Sequence, residues 1–331
     1  MIEIDNRLLK FIARLYMSTR KLAKNTIGYL LGAWMNDTMT YYTYPDETEE
    51  NMKNNRIFAT FLAGFLAVLP NYLVAKDTYK VALDGTFAPH AMPKMAGGVE
   101  GFNVDLANEI GRRLGAKMDI TAAQWSGLLP GMQAGTYDFI VAPTTLTESR
   151  SKSMLFTEGY LNTDFQFVVK KGAQKIKALS ELKNKVIAVN KGSAYDKWAR
   201  NLTNKIGWKV QSFGTNTDAV QAVVSGRAFA NVAGNTVSAW AVKKNPQIEL
   251  SYLHTTGKVF SMPFRKNSSA LRDKVENVIE CMKLDGTLVK MSEKWFGVTP
   301  APGSPPVTVY AGYGQPGFEG YVATPHVPNC N

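Results

Sequence analysis

The chain has 331 residues, 45% of them hydrophobic and 20% charged, a globular composition that excludes a disordered or membrane-embedded protein and leaves room for two modest lobes with real cores. Of the formal net charge of +11, residues 76–331 carry +10. The basic residues are scattered, as at Lys170, Lys171, Lys175, Lys177, Lys183 and Lys185, rather than clustered with aromatics on one element, which argues against nucleic acid as a partner and for a soluble surface that attracts anionic solutes.

Residues 1–51 read as an upstream extension, with Met52 as the functional start. Leu8, Leu9, Ile12, Leu15 and Tyr16 have helical spacing, so an amphipathic N-terminal helix is the alternative. Residues 52–75 read as a signal peptide: Lys53 and Arg56 precede an uninterrupted apolar run at 57–69, then Pro70 and the small residue Ala75. The run is shorter than the roughly 20 apolar residues of a spanning helix, although a buried core helix competes with the signal reading. No cysteine stands directly after it, so a freely soluble periplasmic product is expected rather than a lipid-anchored one.

From residue 79 the chain alternates strand and helix. A strand is expected at 79–83, then a Gly/Pro-rich loop at 84–100 and a helix near 103–114, with Val104, Ala107, Ile110 and Leu114 on one face. A strand at 118–122, a short helix at 127–134 and a strand at 137–142 follow. After an extended segment at 165–169, a second round places strands at 185–189, 208–213, 230–233 and 248–253, with helices at 194–206, 219–225 and 236–243. An apolar segment at 259–264 leads to a long helix at 270–284, and residues 288–295 close the fold.

This rhythm predicts an α/β protein with parallel-rich sheets and helices on their faces. One lobe is expected from residues 76–169 and 260–297 and a second from 170–259, joined by two hinge crossings, with a cleft at the carboxyl ends of the strands. Residues 298–331, rich in Pro and Gly, read as a surface tail whose Tyr310, Tyr313, Phe318 and Tyr321 point to packing on the body. The only cysteines, Cys281 and Cys330, are candidates for a disulfide tying that tail to a helix in an oxidising compartment.

Catalytic and cofactor motifs are thin. HExxH, GxSxG, P-loop and CxxC patterns are missing, and His90, His254 and His326 are dispersed, which argues for binding without cofactor or metal rather than turnover. The binding constellation is richer. Arg150 ends a stretch beginning at Asp138 that reads as a buried strand emptying into a polar turn and a helix start. A guanidinium there, beside the hydroxyls of Thr144 and Thr145 and free helix N–H groups, suits a small carboxylate; the bland alternative is a surface arginine paired with Glu148. Phe87 and Trp125 each follow a strand, where they sandwich a ligand at about 0.5–2 kcal/mol per contact or simply cover a core. Asp84 is either a cleft acid or the cap of the Gly85–Thr86 turn. Ser193, at the start of a second-lobe helix, brings N–H donors.

Taken in order, Asp84-Gly-Thr-Phe-Ala-Pro89, Gly101-Phe-Asn-Val-Asp-Leu106, Trp125-Ser-Gly-Leu-Leu-Pro130, Thr145-Leu-Thr-Glu-Ser-Arg150, Phe156-Thr-Glu-Gly-Tyr160, Asn190-Lys-Gly-Ser193, Gly226-Arg227, Asp285-Gly-Thr287 and Lys294-Trp-Phe-Gly297 resemble the bacterial extracellular solute-binding proteins of the polar amino acid class, family 3. The resemblance runs from about Tyr79 to Gly297. It implies a type II periplasmic binding protein fold, a monomer that captures a carboxylate-bearing solute between hinged lobes, and an inner-membrane ABC permease as partner. It also implies stacking by Phe87 and Trp125, a carboxylate clamp at Arg150 assisted by Thr145, a backbone carbonyl at Pro143 for an α-amino group, and carboxylate donors at Ser193 and Ala194. One departure stands out. Where typical members carry an ammonium-binding aspartate, this chain has Gly234, followed by the uncharged Asn235. Losing that charge-assisted hydrogen bond costs on the order of 1.5–3 kcal/mol for an ammonium ligand, so a carboxylate without an α-amino group, or an amino acid held differently, is expected. Cyclohexadienyl dehydratases share the scaffold and form the enzymatic alternative, with Asp84 as proton donor.

Overall fold

Two five-stranded sheets organise residues 78–330, the part of the chain that this computed structural model describes. The extension expected at 1–51 and the signal peptide expected at 52–75 lie outside the described residues. In chain order the first lobe opens with β1 (Thr78–Leu83), the hairpin β2 (Met92–Pro93) and β3 (Val99–Glu100), α1 (Phe102–Leu114), β4 (Lys117–Ala122), α2 (Trp125–Gln133) and β5 (Phe139–Ile140). Then come β6 (Thr144–Thr145), α3 (Glu148–Ser151), β7 (Met154–Phe156) and β8 (Leu161–Asn162). β1 pairs in parallel with β4 and β5. Its Val81, Ala82 and Leu83 are all fully buried, the continuous apolar run of a strand covered on both faces.

The second lobe holds β9 (Phe165–Lys170), β10 (Val186–Asn190), α4 (Ala194–Asn201), α5 (Thr203–Ile206), β11 (Lys209–Phe213), α6 (Asn216–Val224), β12 (Ala230–Gly234), α7 (Asn235–Lys244) and β13 (Ile248–His254). Its sheet order is β11-β10-β12-β9-β13. β9 differs from expectation: it pairs antiparallel with β12 and β13, so residues 165–169 belong to the second sheet rather than the first lobe. The helix expected at 194–206 is also interrupted at Leu202. The carbonyl of Ala199 accepts from the Trp208 indole at 2.8 Å and the Thr203 hydroxyl at 3.3 Å, competing with the helical ladder.

The chain returns through β14 (Val259–Ser261) and β15 (Pro263–Arg265), then α8 (Ser269–Leu284) and α9 (Thr287–Phe296). The apolar segment at 259–264 is therefore two strands in two sheets. β14 pairs with β6 and β8, while β15 joins β5 and β7 in the first sheet. Thr157 holds the switch point: Met262 N–H donates to its hydroxyl at 3.1 Å, and its own N–H donates to the Met262 carbonyl at 3.1 Å.

The tail packs along α8. Arg272 donates to the carbonyls of Phe156 and Gly320, each at 3.1 Å, and Gly314 N–H donates to Glu276 at 2.6 Å. Glu280 faces His326 at 2.7 Å, and Cys281 is bonded to Cys330. Lys283 donates to the carboxylate of Glu158 and, at 2.7 Å each, to the carbonyls of Gly159 and Thr308. Burial pushes the Glu276 carboxyl up to about 8, with Glu158 and Glu280 adding repulsion. Among the described residues no helix is long and apolar enough to cross a membrane.

Candidate functional site

The carboxyl ends of β1, β5 and β10 converge on a small cavity of about 20 Å³ between the lobes, lined by Asp84, Phe87, Trp125, Ala142, Pro143, Thr145, Arg150, Asn190, Ser193, Ala194 and Tyr195. Eight residues expected from the sequence meet there: Asp84, Phe87, Trp125, Pro143, Thr145, Arg150, Ser193 and Ala194. Asn235 does not line the cleft. It opens α7, its N–H donates to the Asp164 carbonyl at 3.0 Å, and its amide oxygen is buried without a partner.

Arg150 is placed by its own short helix. Thr147 caps α3, its hydroxyl accepting from Arg150 N–H at 3.3 Å. The guanidinium then folds back, donating to the Thr145 carbonyl at 2.7 Å and reaching the Gly192 carbonyl of the other lobe at 3.4 Å. It also lies over the Trp125 ring at 5.3 Å. These contacts leave further N–H groups of the fork for a ligand. Burial lowers the guanidinium to about 10, so it stays charged at neutral pH. Glu148 forms no bond with it, which removes the surface-pair alternative.

Across the cleft, α4 begins at Ala194 with Ser193 as its cap, the hydroxyl accepting from Asp196 N–H at 3.1 Å. The first-turn N–H groups of Ala194 and Tyr195 have no partner within the helix. Asp84 does cap its turn, as one reading of the sequence held: its Oδ1 accepts from the Thr86 N–H at 2.9 Å and hydroxyl at 2.7 Å. Its Oδ2 is buried and unpartnered, as is Oδ1 of Asn190.

Three cavity residues, Ala142, Asn190 and Tyr195, were not among those expected from the sequence. Asn190 carries a usable signal, since a polar residue ending a buried strand marks the cleft in open α/β sheets. Tyr195 carries none, because only the orientation of α4 turns its phenol into the cavity. Burial pushes that phenol up to about 12, so it is an uncharged hydrogen-bonding group.

The lobes touch around the cavity. Lys197 donates to Ser149 at 2.8 Å, and Thr217 reaches the Thr86 carbonyl at 3.3 Å. His90, fully buried, bridges Asn103 of its own lobe and Thr236 at the start of α7, each at 2.8 Å. Desolvation holds its imidazole down at about 4. The unfolded chain takes up a proton near the ordinary value of 6.5 that the folded protein refuses. The stability from this site is therefore complete above pH 6.5 and is lost as pH falls toward 4. The difference amounts to about 3 kcal/mol at the acid end. Thermal melts between pH 4 and pH 7 are expected to show a steeper acid loss for the native chain than for His90→Gln. Parallel curves would contradict this.

The match to known proteins follows the same boundaries. The family model for bacterial extracellular solute-binding proteins, family 3, matches residues 79–298. The L-cystine-binding protein TcyJ of Escherichia coli (strain K12) is 30% identical over 235 residues, 69% of this chain and 86% of that protein. Among solved structures, an ancestral arginine-binding protein bound to arginine superposes with a TM-score of 0.65 at 34% identity, over 67% of this chain and all of that one. An ancestral amino acid-binding protein that is a precursor of cyclohexadienyl dehydratase gives a TM-score of 0.62 at 31% identity, over 66% of this chain and 96% of that one. With two βα sheets crossed twice by the backbone, a guanidinium-bearing cleft between them and a family match spanning both, the chain belongs to the bacterial extracellular solute-binding proteins, family 3.

Proposed function

We propose that this protein is the solute-capturing component of an ABC importer. It works as a monomer outside the cytoplasmic membrane and delivers a small carboxylate-bearing solute, an amino acid or a related acid, to an inner-membrane permease. The observation that carries the reading is Arg150, a charged fork half-buried between the lobes, backed by Trp125 and facing the N-terminus of α4. A ligand gripped from both lobes favours the closed arrangement over the open one, and that difference signals loading to the permease. The relatives add weight: one is an L-cystine-binding protein and another was solved with arginine, both amino acids. The apolar run at 57–69 behind Lys53 and Arg56 supports export. The protein acts by binding, without turnover.

Mass spectrometry of material released from natively purified protein is expected to find a small carboxylic acid. Calorimetry with that compound should then give one site per chain. If the released compound carries no carboxylate, and no amino acid or organic acid binds, the reading fails. The dehydratase precursor among the structural neighbours, with the free Asp84 Oδ2 as a proton donor, favours a second reading. Incubation with prephenate or arogenate is expected to leave both unchanged, and product formation would establish that alternative instead.

A further inference from the structure

Phe87, which lines the cavity, shares the turn after β1 with His90. The Phe87 carbonyl accepts from His90 N–H at 3.0 Å and Ala91 N–H at 3.1 Å, and the His90 carbonyl accepts from Asn103 N–H at 2.9 Å at the head of α1. The imidazole stacks on the Phe87 ring, with centroids 5.8 Å apart and planes 25° apart. Phe102, Phe260 and Phe296 close around it at 6.1, 5.5 and 5.4 Å. None of its surface meets water.

The partners fix where the ring carries its hydrogen. Asn103 Nδ2 donates to the Val141 carbonyl at 2.6 Å and to the Tyr160 hydroxyl at 2.8 Å, which uses both amide hydrogens. Asn103 Oδ1 must then accept, so His90 Nδ1 holds the hydrogen and donates it across 2.8 Å. The bare Nε2 accepts from the Thr236 hydroxyl at 2.8 Å, across the lobe boundary at the start of α7. Charged groups on the surrounding elements are engaged elsewhere. Asp84, at the head of the same turn, bonds to Thr86, and Asp105 of α1 bonds to Lys294 of α9. Lys243 and Lys244 of α7 lie over Trp240, and burial keeps the Tyr160 phenol protonated.

We propose that His90 is a positioning residue that couples the cavity to lobe closure: neutral and protonated on Nδ1, it backs Phe87 and latches α7 through Nε2, and a proton taken up on Nε2 opens the latch and weakens capture. The inference rests on the solute-capture reading and adds a control to it. Separating the lobes takes Thr236 off Nε2 and lets water reach it, which returns the imidazole toward its ordinary value of 6.5, whereas in the closed form burial holds it at about 4. Protons therefore bind the open form, and a fall in pH through 6.5 draws the lobes apart before the chain unfolds.

The test is calorimetry at pH 7 and pH 5 with L-arginine, L-cystine and L-glutamine as probes. Whichever binds the native protein is expected to bind about twentyfold more weakly at pH 5, the ratio set by imidazole values near 6.5 open and 4 closed. His90→Gln, which cannot take up the proton, is expected to lose less than about threefold over the same interval. Thr236→Val, which removes only the contact between lobes, is expected to weaken binding at pH 7 by roughly two- to tenfold, as for one neutral hydrogen bond. A loss of less than about fivefold in the native protein, or an equal loss in His90→Gln, overturns the inference and leaves solute binding standing. Unchanged affinity in Thr236→Val overturns the latch. A second readout needs no bound solute and no His90 variant: nitrogen-15 spectra of the imidazoles of the ligand-free protein, assigned with His254→Gln and His326→Gln. The His90 hydrogen is expected on Nδ1 at pH 8, and a hydrogen on Nε2 overturns the inference. If none of the three probes binds, these spectra decide it, while the wider acid panel decides separately on solute capture.

Discussion

Arg150→Ala is expected to weaken binding of the captured acid by roughly 30- to 5,000-fold, the range that follows from about 2–5 kcal/mol for truncating one partner of a desolvated, hydrogen-bonded charge pair. The size follows from the site. The guanidinium is positioned by the Thr145 carbonyl at 2.7 Å and by the Trp125 face, so its loss removes a prepaid contact rather than a floppy surface charge. The bond to the Gly192 carbonyl ties the two lobes, and its removal also weakens closure. Arg150→Lys should fall between the two, because an ammonium keeps the charge but cannot offer a bidentate fork. Calorimetry with whichever acid binds the native protein reads the effect. Affinity within threefold of the native value for Arg150→Ala would place the carboxylate elsewhere.

The second large effect concerns stability. Lys283→Met strips the counter-charge from Glu158, both side chains being fully buried. It also leaves the carbonyls of Gly159 and Thr308 without their donor. Breaking a buried pair from one side costs about 3–5 kcal/mol, which for a domain of this size lowers the melting temperature by about 10 °C. Burial lowers the Lys283 ammonium, and Glu158 opposes that fall, so the pair survives on mutual compensation. Lys283→Met combined with Glu158→Gln is therefore expected to recover a substantial part of the loss, since an unpaired buried charge is worse than none. A single variant that melts within about 2 °C of the native protein would show that water reaches this cluster and screens it.

Much of the site was legible because the cleft lies at strand ends, where single residues carry clear roles. Phe87 after β1, Trp125 after β4 and Arg150 after β6 could be found by counting along βα units. The turn before α4 could be found the same way, through Gly192 and Ser193. Asn235, one residue beyond Gly234, stands outside the cavity lining, because position along the chain does not fix position in space. The backbone turns into α7 at that residue, and Tyr195 occupies the room beside Gly234. The face of α8 carrying Arg272, Glu276, Glu280 and Lys283 looks solvent-facing by pattern alone. It is buried because a tail without periodicity folds over it and supplies Gly314, Gly320 and Thr308 as partners.

Local chemistry in the sequence alone decided the βα rhythm, the two-lobe order, the aromatic flanks and the guanidinium, because hydrophobic period and turn residues act over a few neighbours. Tertiary structure alone decided which sheet takes residues 165–170, how β14 and β15 split at Met262, what fills the space at Gly234 and which charges are dry. Each of these depends on a partner distant in the chain, and pairing and desolvation exist only once that partner has arrived.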